Sequence, residues 1–263
     1  MKKKKIVAVA VFCGLLFAAG IVLSLCLGSR TVTFEKVLEA LCGKQAETLE
    51  AKVVLARVPR TIFGILAGGA LGISGTLMQS ITRNPVADPS ILGVNTGASL
   101  FVVIGIAYLH ISAASQYIWL AILGALLTTL FVYGVASLGK EGATPLKLAL
   151  SGSAVAITLG SLVSTIMLPN DKVMQNFRFW TVGNIGRATT ESIRLIAPFI
   201  AVGFLLAMLL APQLNALALG DEAASSLGVN VRLVRAVGTA ASVLLCGATT
   251  ALAGPIGFVG LMV

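Results

Sequence analysis

The sequence predicts an all-α, polytopic transmembrane helical bundle, and three observations carry that prediction. The chain is 57% hydrophobic and 11% charged, with a mean hydropathy of +0.98, whereas a soluble domain carries about 25% charged residues. Its apolar residues arrive in uninterrupted blocks of about 20 residues, the length that crosses hydrocarbon as a helix. The basic residues lie between the blocks and at their ends, so the net charge of +9 reads as topology and lipid contact rather than nucleic-acid binding.

The elements follow in order. Met1 and Lys2 to Lys5 precede an apolar run over 6–28. A signal-peptide core is about 7–15 residues long, while this run would rise roughly 34 Å as a helix, and no small-residue cleavage site follows. Leu25 before Cys26 does not fit a lipoprotein site. Residues 29–60 mix Glu35, Glu39, Glu47 and Glu50 with Lys36, Lys44 and Lys52 around Phe34, Val37, Leu38 and Leu41, as expected of a short extracytoplasmic amphipathic helix or of a solvated connector. Further apolar blocks cover 61–81, 91–109, 117–138, 148–168, 195–211 and 236–253, and an eighth begins near Pro255. Seven spans and the start of an eighth are therefore expected within one transmembrane domain over 1–263. Because the sequence stops inside an apolar run, its C-terminal part is expected to be missing.

The lysine cluster places the N-terminus in the cytoplasm. Alternation then puts 82–90, 139–147 and 212–235 inside, and 29–60, 110–116 and 169–194 outside. Nine Lys and Arg fall inside and ten outside, so only the N-terminal lysines support this orientation. Small residues recur four apart in several spans: Gly64, Gly68, Gly72 and Thr76; Gly152, Ala156, Gly160 and Ser164; Gly238, Ser242, Cys246, Thr250 and Gly254. Such stripes let helix backbones approach closely, and the glycines are read as packing residues. Cys13, Cys26, Cys42 and Cys246 lack metal-site spacing.

No Asp, Glu, Lys or Arg interrupts an apolar block, and His110 is the only histidine. The visible spans thus lack the ionisable groups an ion-coupled carrier uses, a metal-ligand set, and a catalytic constellation. A glycine-rich loop ending in Lys-Ser or Lys-Thr is also missing, so ATP, if it drives the protein, binds a partner. The expectation is a non-enzyme with no cofactor or metal of its own.

Two inside loops carry more information. Thr82-Arg83-Asn84-Pro85-Val86-Ala87-Asp88-Pro89 holds two prolines, which restrict themselves and their predecessors, and reads as a rigid turn between antiparallel helices. In Leu214–Asn230, Gly220, Asp221 and Glu222 can start a short helix and Gly228 can end it. The segment 212–235 is read as a cytoplasmic docking element, with an amphipathic surface helix as the alternative. Outside, Phe177-Arg178-Phe179-Trp180 places aromatics beside a basic residue, in the manner of an interfacial belt.

Together, Arg57-Val-Pro-Arg60, Thr82–Pro89 with Leu92-Gly93, Phe179-Trp-Thr-Val-Gly183, Leu219–Gly228 and Gly254-Pro-Ile-Gly-Phe-Val-Gly-Leu261 closely resemble, in order, motifs of the permeases of bacterial ABC importers for iron-siderophores, haem and vitamin B12. The resemblance implies ten helices per subunit and a homodimer, or a pair of related permeases, in the cytoplasmic membrane. It also implies two cytoplasmic ATPases carrying ATP and magnesium, and an extracytoplasmic substrate-binding protein. On the same basis Leu219, Gly220, Asp221, Glu222, Ala223, Ala224, Leu227 and Gly228 would couple to the ATPase, and Arg57 and Arg60 would meet the binding protein. Arg83, Asn84, Pro85, Asp88 and Pro89 make the rigid loop. An ion-coupled carrier and a non-transporting scaffold or remnant remain the alternatives.

Overall fold

A computed structural model describes residues 2–43, 48–111, 114–139 and 143–262. Among these the regular structure is helical, and six helices are long and apolar enough to cross a membrane. The chain forms two compact units, Met1–Ile65 and Leu66–Val263.

In the first unit, α1 (Lys2–Cys26) runs straight from the lysines into the apolar block. Val7, Phe12, Leu15 and Leu16 on it are exposed, a surface suited to lipid. The amphipathic helix expected within 29–60 is shorter: only α2 (Phe34–Leu41) stands apart, burying Val37 and Ala40. From Leu49 the chain already belongs to α3 (Leu49–Thr82), which continues through Pro59. Lys44 and Glu47 lie outside the described residues. Leu25, Val32, Val37, Ala40, Ala51 and Val54 form this unit's core, and Lys36 meets Glu50 at 2.5 Å.

The second unit continues from α3 through α4 (Val94–Tyr108), α5 (Ala114–Ala136), α6 (Pro145–Met167), α7 (Asp171–Thr181), α8 (Thr190–Leu217), α9 (Asp221–Ser226), α10 (Val231–Ala253) and α11 (Val259–Met262). Side-chain caps start four of them: Thr144, Asn170, Thr189 and Asn230 accept hydrogen bonds from backbone N–H groups of the first turns of α6, α7, α8 and α10, which would otherwise go unpaired. Seven apolar blocks become seven helices, but the third is short, because Pro89–Leu92 folds as a 3-10 turn before α4 begins. The connector expected over 212–235 narrows to 218–230, with α8 and α10 taking its ends.

α10 is buried along most of its length and packs on α8 and α5, while α4 packs on α5 and α6. At the α4–α5 crossing the backbones touch: a Cβ on Gly97 would lie 2.6 Å from the Gly124 carbonyl oxygen. Neither glycine belongs to the stripes expected to pack. Of those that do, Gly152 sits where a Cβ would come within 1.9 Å of the Ile91 carbonyl oxygen, and on Gly238 within 2.7 Å of Ile81. Gly72 is buried and Gly64 half-buried. Gly68 and Gly160 differ from expectation: a Cβ on Gly68 would have nothing within 4 Å, and on Gly160 only Thr96 at 4.0 Å.

This contrast makes a prediction. Gly152→Ala forces backbone apart and should cost about 1–3 kcal/mol, seen as a lower melting temperature of the detergent-solubilised protein. Gly160→Ala should leave the melting temperature unchanged.

Candidate functional site

The two inside loops, distant in sequence, meet at Asp221. α8 ends at Leu217, and Gly220, at φ 123°, turns the chain into the six-residue α9. The helix closes through Gly228 at φ 83°, whose N–H donates to the Ser225 carbonyl at 3.0 Å while the Val229 N–H donates to that of Ala224 at 3.0 Å. This paired closure satisfies carbonyls that a helix end leaves free. Ala224 is fully buried among Leu210, Leu217 and Val234, which pins α9 to α8 and α10. Leu219, Glu222 and Leu227 face outward, and Ala223 is half-buried.

Charge fixes the same helix from below. Arg235 on α10 donates through Nη2 to both Asp221 carboxylate oxygens, at 2.9 and 3.1 Å. Arg83, the first residue after α3, pairs with Asp221 Oδ1 and donates through Nε to the Leu217 carbonyl at 2.9 Å. Three helix ends and α9 are thereby tied to one carboxylate. Beyond Arg83, Asn84, Pro85 and Val86 are exposed, and Asn84 Oδ1 accepts from the Val86 N–H at 3.1 Å, which closes the turn.

Then the chain goes inside, which the reading of this segment as a rigid turn between antiparallel helices did not foresee. Ala87, Asp88 and Pro89 are buried, Asp88 being 5% exposed. Asp88 Oδ1 accepts from the Ser90 N–H at 2.9 Å and caps the 3-10 turn. Its Oδ2 accepts from the Phe258 N–H at 3.2 Å. Asn95, one turn on, accepts from the Thr250 hydroxyl at 2.8 Å and donates to the Ile256 carbonyl at 3.4 Å. Thr250 lies about 22 Å of helix rise along α10 from Arg235. The stretch from Asn84 to Gly93 therefore climbs deep into the bundle, and the irregular run after α10 descends to meet it. Gln79 holds the far side of that run, donating to the Gly260 carbonyl at 2.9 Å. Asp88 places a carboxylate within the bundle, where the apolar blocks contain none, and both its oxygens are engaged by backbone N–H groups.

At the opposite end of α8, α7 buries Val173, Phe177 and Trp180 and exposes Arg178 and Phe179. The Asn184 N–H donates to the Ala253 carbonyl at 2.9 Å, and Arg187 stands over the Phe179 ring at 5.9 Å. In the first unit, Arg57 is placed differently from its expected role at a docking surface. It is 6% exposed, and its guanidinium donates to the carbonyls of Leu25 at 2.8 Å, Cys26 at 3.1 Å and Arg30, capping α1 where the helix leaves carbonyls unpaired. Arg60 is half-exposed and donates to the Ser24 carbonyl at 3.0 Å.

The FecCD transport family matches residues 15–263. The ferric enterobactin transport system permease protein FepD of Escherichia coli K12 is 40% identical over 249 residues, covering 94% of this chain and 74% of that protein. The Fe(3+)-citrate import system permease protein YfmD of Bacillus subtilis 168 is 39% identical over 249 residues, covering 95% and 74%. Among solved structures, an inward-facing metal-chelate type ABC transporter superposes with a TM-score of 0.78 at 23% identity, covering 95% of this chain and 76% of that one. It shares the fold.

The Asp221 junction predicts unequal effects from neighbouring acids. Asp221→Ala leaves Arg235 without its acceptor and Arg83 with only the Leu217 carbonyl, and should lower unfolding stability by about 1 kcal/mol. Glu222→Ala, at an exposed position without a partner bond described, should not. Unfolding in detergent followed by tryptophan fluorescence distinguishes the two.

Proposed function

Because the chain belongs to the FecCD transport family, we propose that it is the membrane permease of an ATP-driven importer that carries a metal chelate inward, with iron(III) chelates ahead of haem and corrinoids. The observation that carries this reading is α9. A helix of six residues, anchored by Asp221 and Ala224 on one side and offering Leu219, Glu222 and Leu227 on the other, suits a partner's groove. In this reading the partner is a cytoplasmic ATPase pair that holds ATP and magnesium, and the Asp221 end of the bundle faces the cytoplasm with the N-terminus of the chain. The iron chelates named for both relatives support the cargo class.

Motion reaches the interior through bonded elements. A push on α9 acts on α8 through Leu217, on α10 through Arg235 and on α3 through Arg83. ATP engagement at this end and binding-protein docking at the other must favour different conformations for cargo to move, since a ligand shifts an equilibrium only by its differential affinity. A second copy completes the pathway. α6 supports that placement: Thr158, Ser161, Ser164 and Thr165 lie on its exposed side and donate back to carbonyls four residues earlier, a hydroxyl-bearing face that the described residues do not cover.

Two experiments test the reading. Glu222→Arg in the complete protein should reach the membrane normally yet weaken co-purification of the ATPase and lower ATP-dependent uptake of ferric chelate severalfold; unchanged uptake would remove α9 from coupling. Arg60→Glu should raise the concentration of binding protein needed for half-maximal uptake, whereas Arg57→Glu should act through loss of the α1 cap, lowering the amount of folded protein.

A further inference from the structure

At the end of α8 away from Asp221, α7 and the turn after it enclose an open cleft of about 490 Å³. Arg178, Arg187, Phe179, Gln175 and Asn184 line it, and no acidic side chain does. Both arginines are exposed. The fold fixes where each leaves the backbone. Arg178 sits in the last turn of α7, where the helix end favours a cation. Arg187 is positioned by Asn184, whose backbone N–H is tied to Ala253 at 2.9 Å and whose Oδ1 accepts from the Gly186 N–H at 2.7 Å.

We propose that this cleft is an entry site for an anionic chelate, so that the permease itself favours negatively charged cargo over neutral or cationic cargo before translocation. The inference rests on the importer reading for its biological sense, but the cleft binds or fails to bind on its own. Two planar guanidinium groups without a carboxylate partner match the carboxylate or phenolate oxygens that surround a chelated metal, and bidentate donation adds geometric selection to charge. The Phe179 ring, over which Arg187 stands at 5.9 Å, adds an apolar wall for the carbon skeleton of the ligand while keeping a cation beside it. A cleft that combines several polar side chains with an apolar wall suits a small polar molecule. An acidic protein lobe would meet the same arginines equally well on a flat surface, so the concavity favours the small ligand.

The test uses the full chain in lipid nanodiscs and two iron-55 probes, ferric citrate, an anion, and ferrioxamine B, a cation. Equilibrium dialysis should show ferric citrate bound at least about tenfold more tightly than ferrioxamine. R178Q/R187Q should erase that preference, and R178K/R187K should keep part of it. Should the glutamine pair not fold, salt decides on the wild-type chain: sodium chloride raised from about 50 to 500 mM must weaken ferric citrate and spare ferrioxamine. Equal binding of the two probes, or a preference untouched by the substitutions or by salt, overturns the site. Uptake in cells with the partner proteins is read in parallel. Charge-selective binding without uptake by the wild type sinks the importer reading and leaves the cleft standing. Normal ferric citrate binding by R178Q/R187Q together with lost uptake assigns the arginines to a protein partner and overturns the proposal.

Discussion

Backbone that leaves a helix inside hydrocarbon must find its hydrogen-bond partners within the protein, and the interior of this bundle is organised by that requirement. Two irregular runs enter it, one after α3 and one after α10. Asp88 bonds to both, with one oxygen on the Ser90 N–H and the other on the Phe258 N–H. A carboxylate suits the task because it accepts through two oxygens and donates nothing. Asn95 repeats the function one turn deeper, with its oxygen on Thr250 and its nitrogen aimed at Ile256. The short α4 follows from this arrangement: a chain that reaches the middle of the bundle before becoming helical needs fewer residues to leave it.

The surface end of the same bundle is organised by charge. Asp221 gathers Arg83 and Arg235, and Arg83 also closes the end of α8 through Leu217. The five-residue interval from Arg83 to Asp88 thus joins the exposed face to the buried junction. A short, proline-stiffened length of chain runs from the Arg83–Asp221 pair to Asp88.

Much of this was legible in the sequence and some was not, for identifiable reasons. Hydropathy located the seven helices because lipid imposes a length. Gly220 and Gly228 announced the bounds of α9, since few residues besides glycine adopt their backbone angles. The burial of Asp88 was hidden because its second partner, Phe258, lies far along the chain and contributes only an N–H that every residue owns. Arg57 was misplaced for a similar reason: an arginine beside a span looks alike whether it faces solvent or caps a neighbouring helix. The early start of α3 was masked by Glu50, Lys52 and Arg57, charges that read as loop until Ala51 and Val54 are seen in the core. Gly97 and Gly124 fell outside the four-residue stripes, because a crossing needs one small residue on each helix rather than a row on either.

The cap on α1 bears on how the protein is made. The carbonyls at the end of the first helix are closed by Arg57, which the ribosome supplies some thirty residues after them, and Gly28 leaves the room that its guanidinium occupies, since a Cβ there would sit 2.6 Å from Nη2. The hydrogen bonding at the end of α1 is therefore completed only when the first two turns of α3 have been made. α1 and the start of α3 are thus bonded as a pair, and the arginine that joins them lies just ahead of the long apolar stretch of α3.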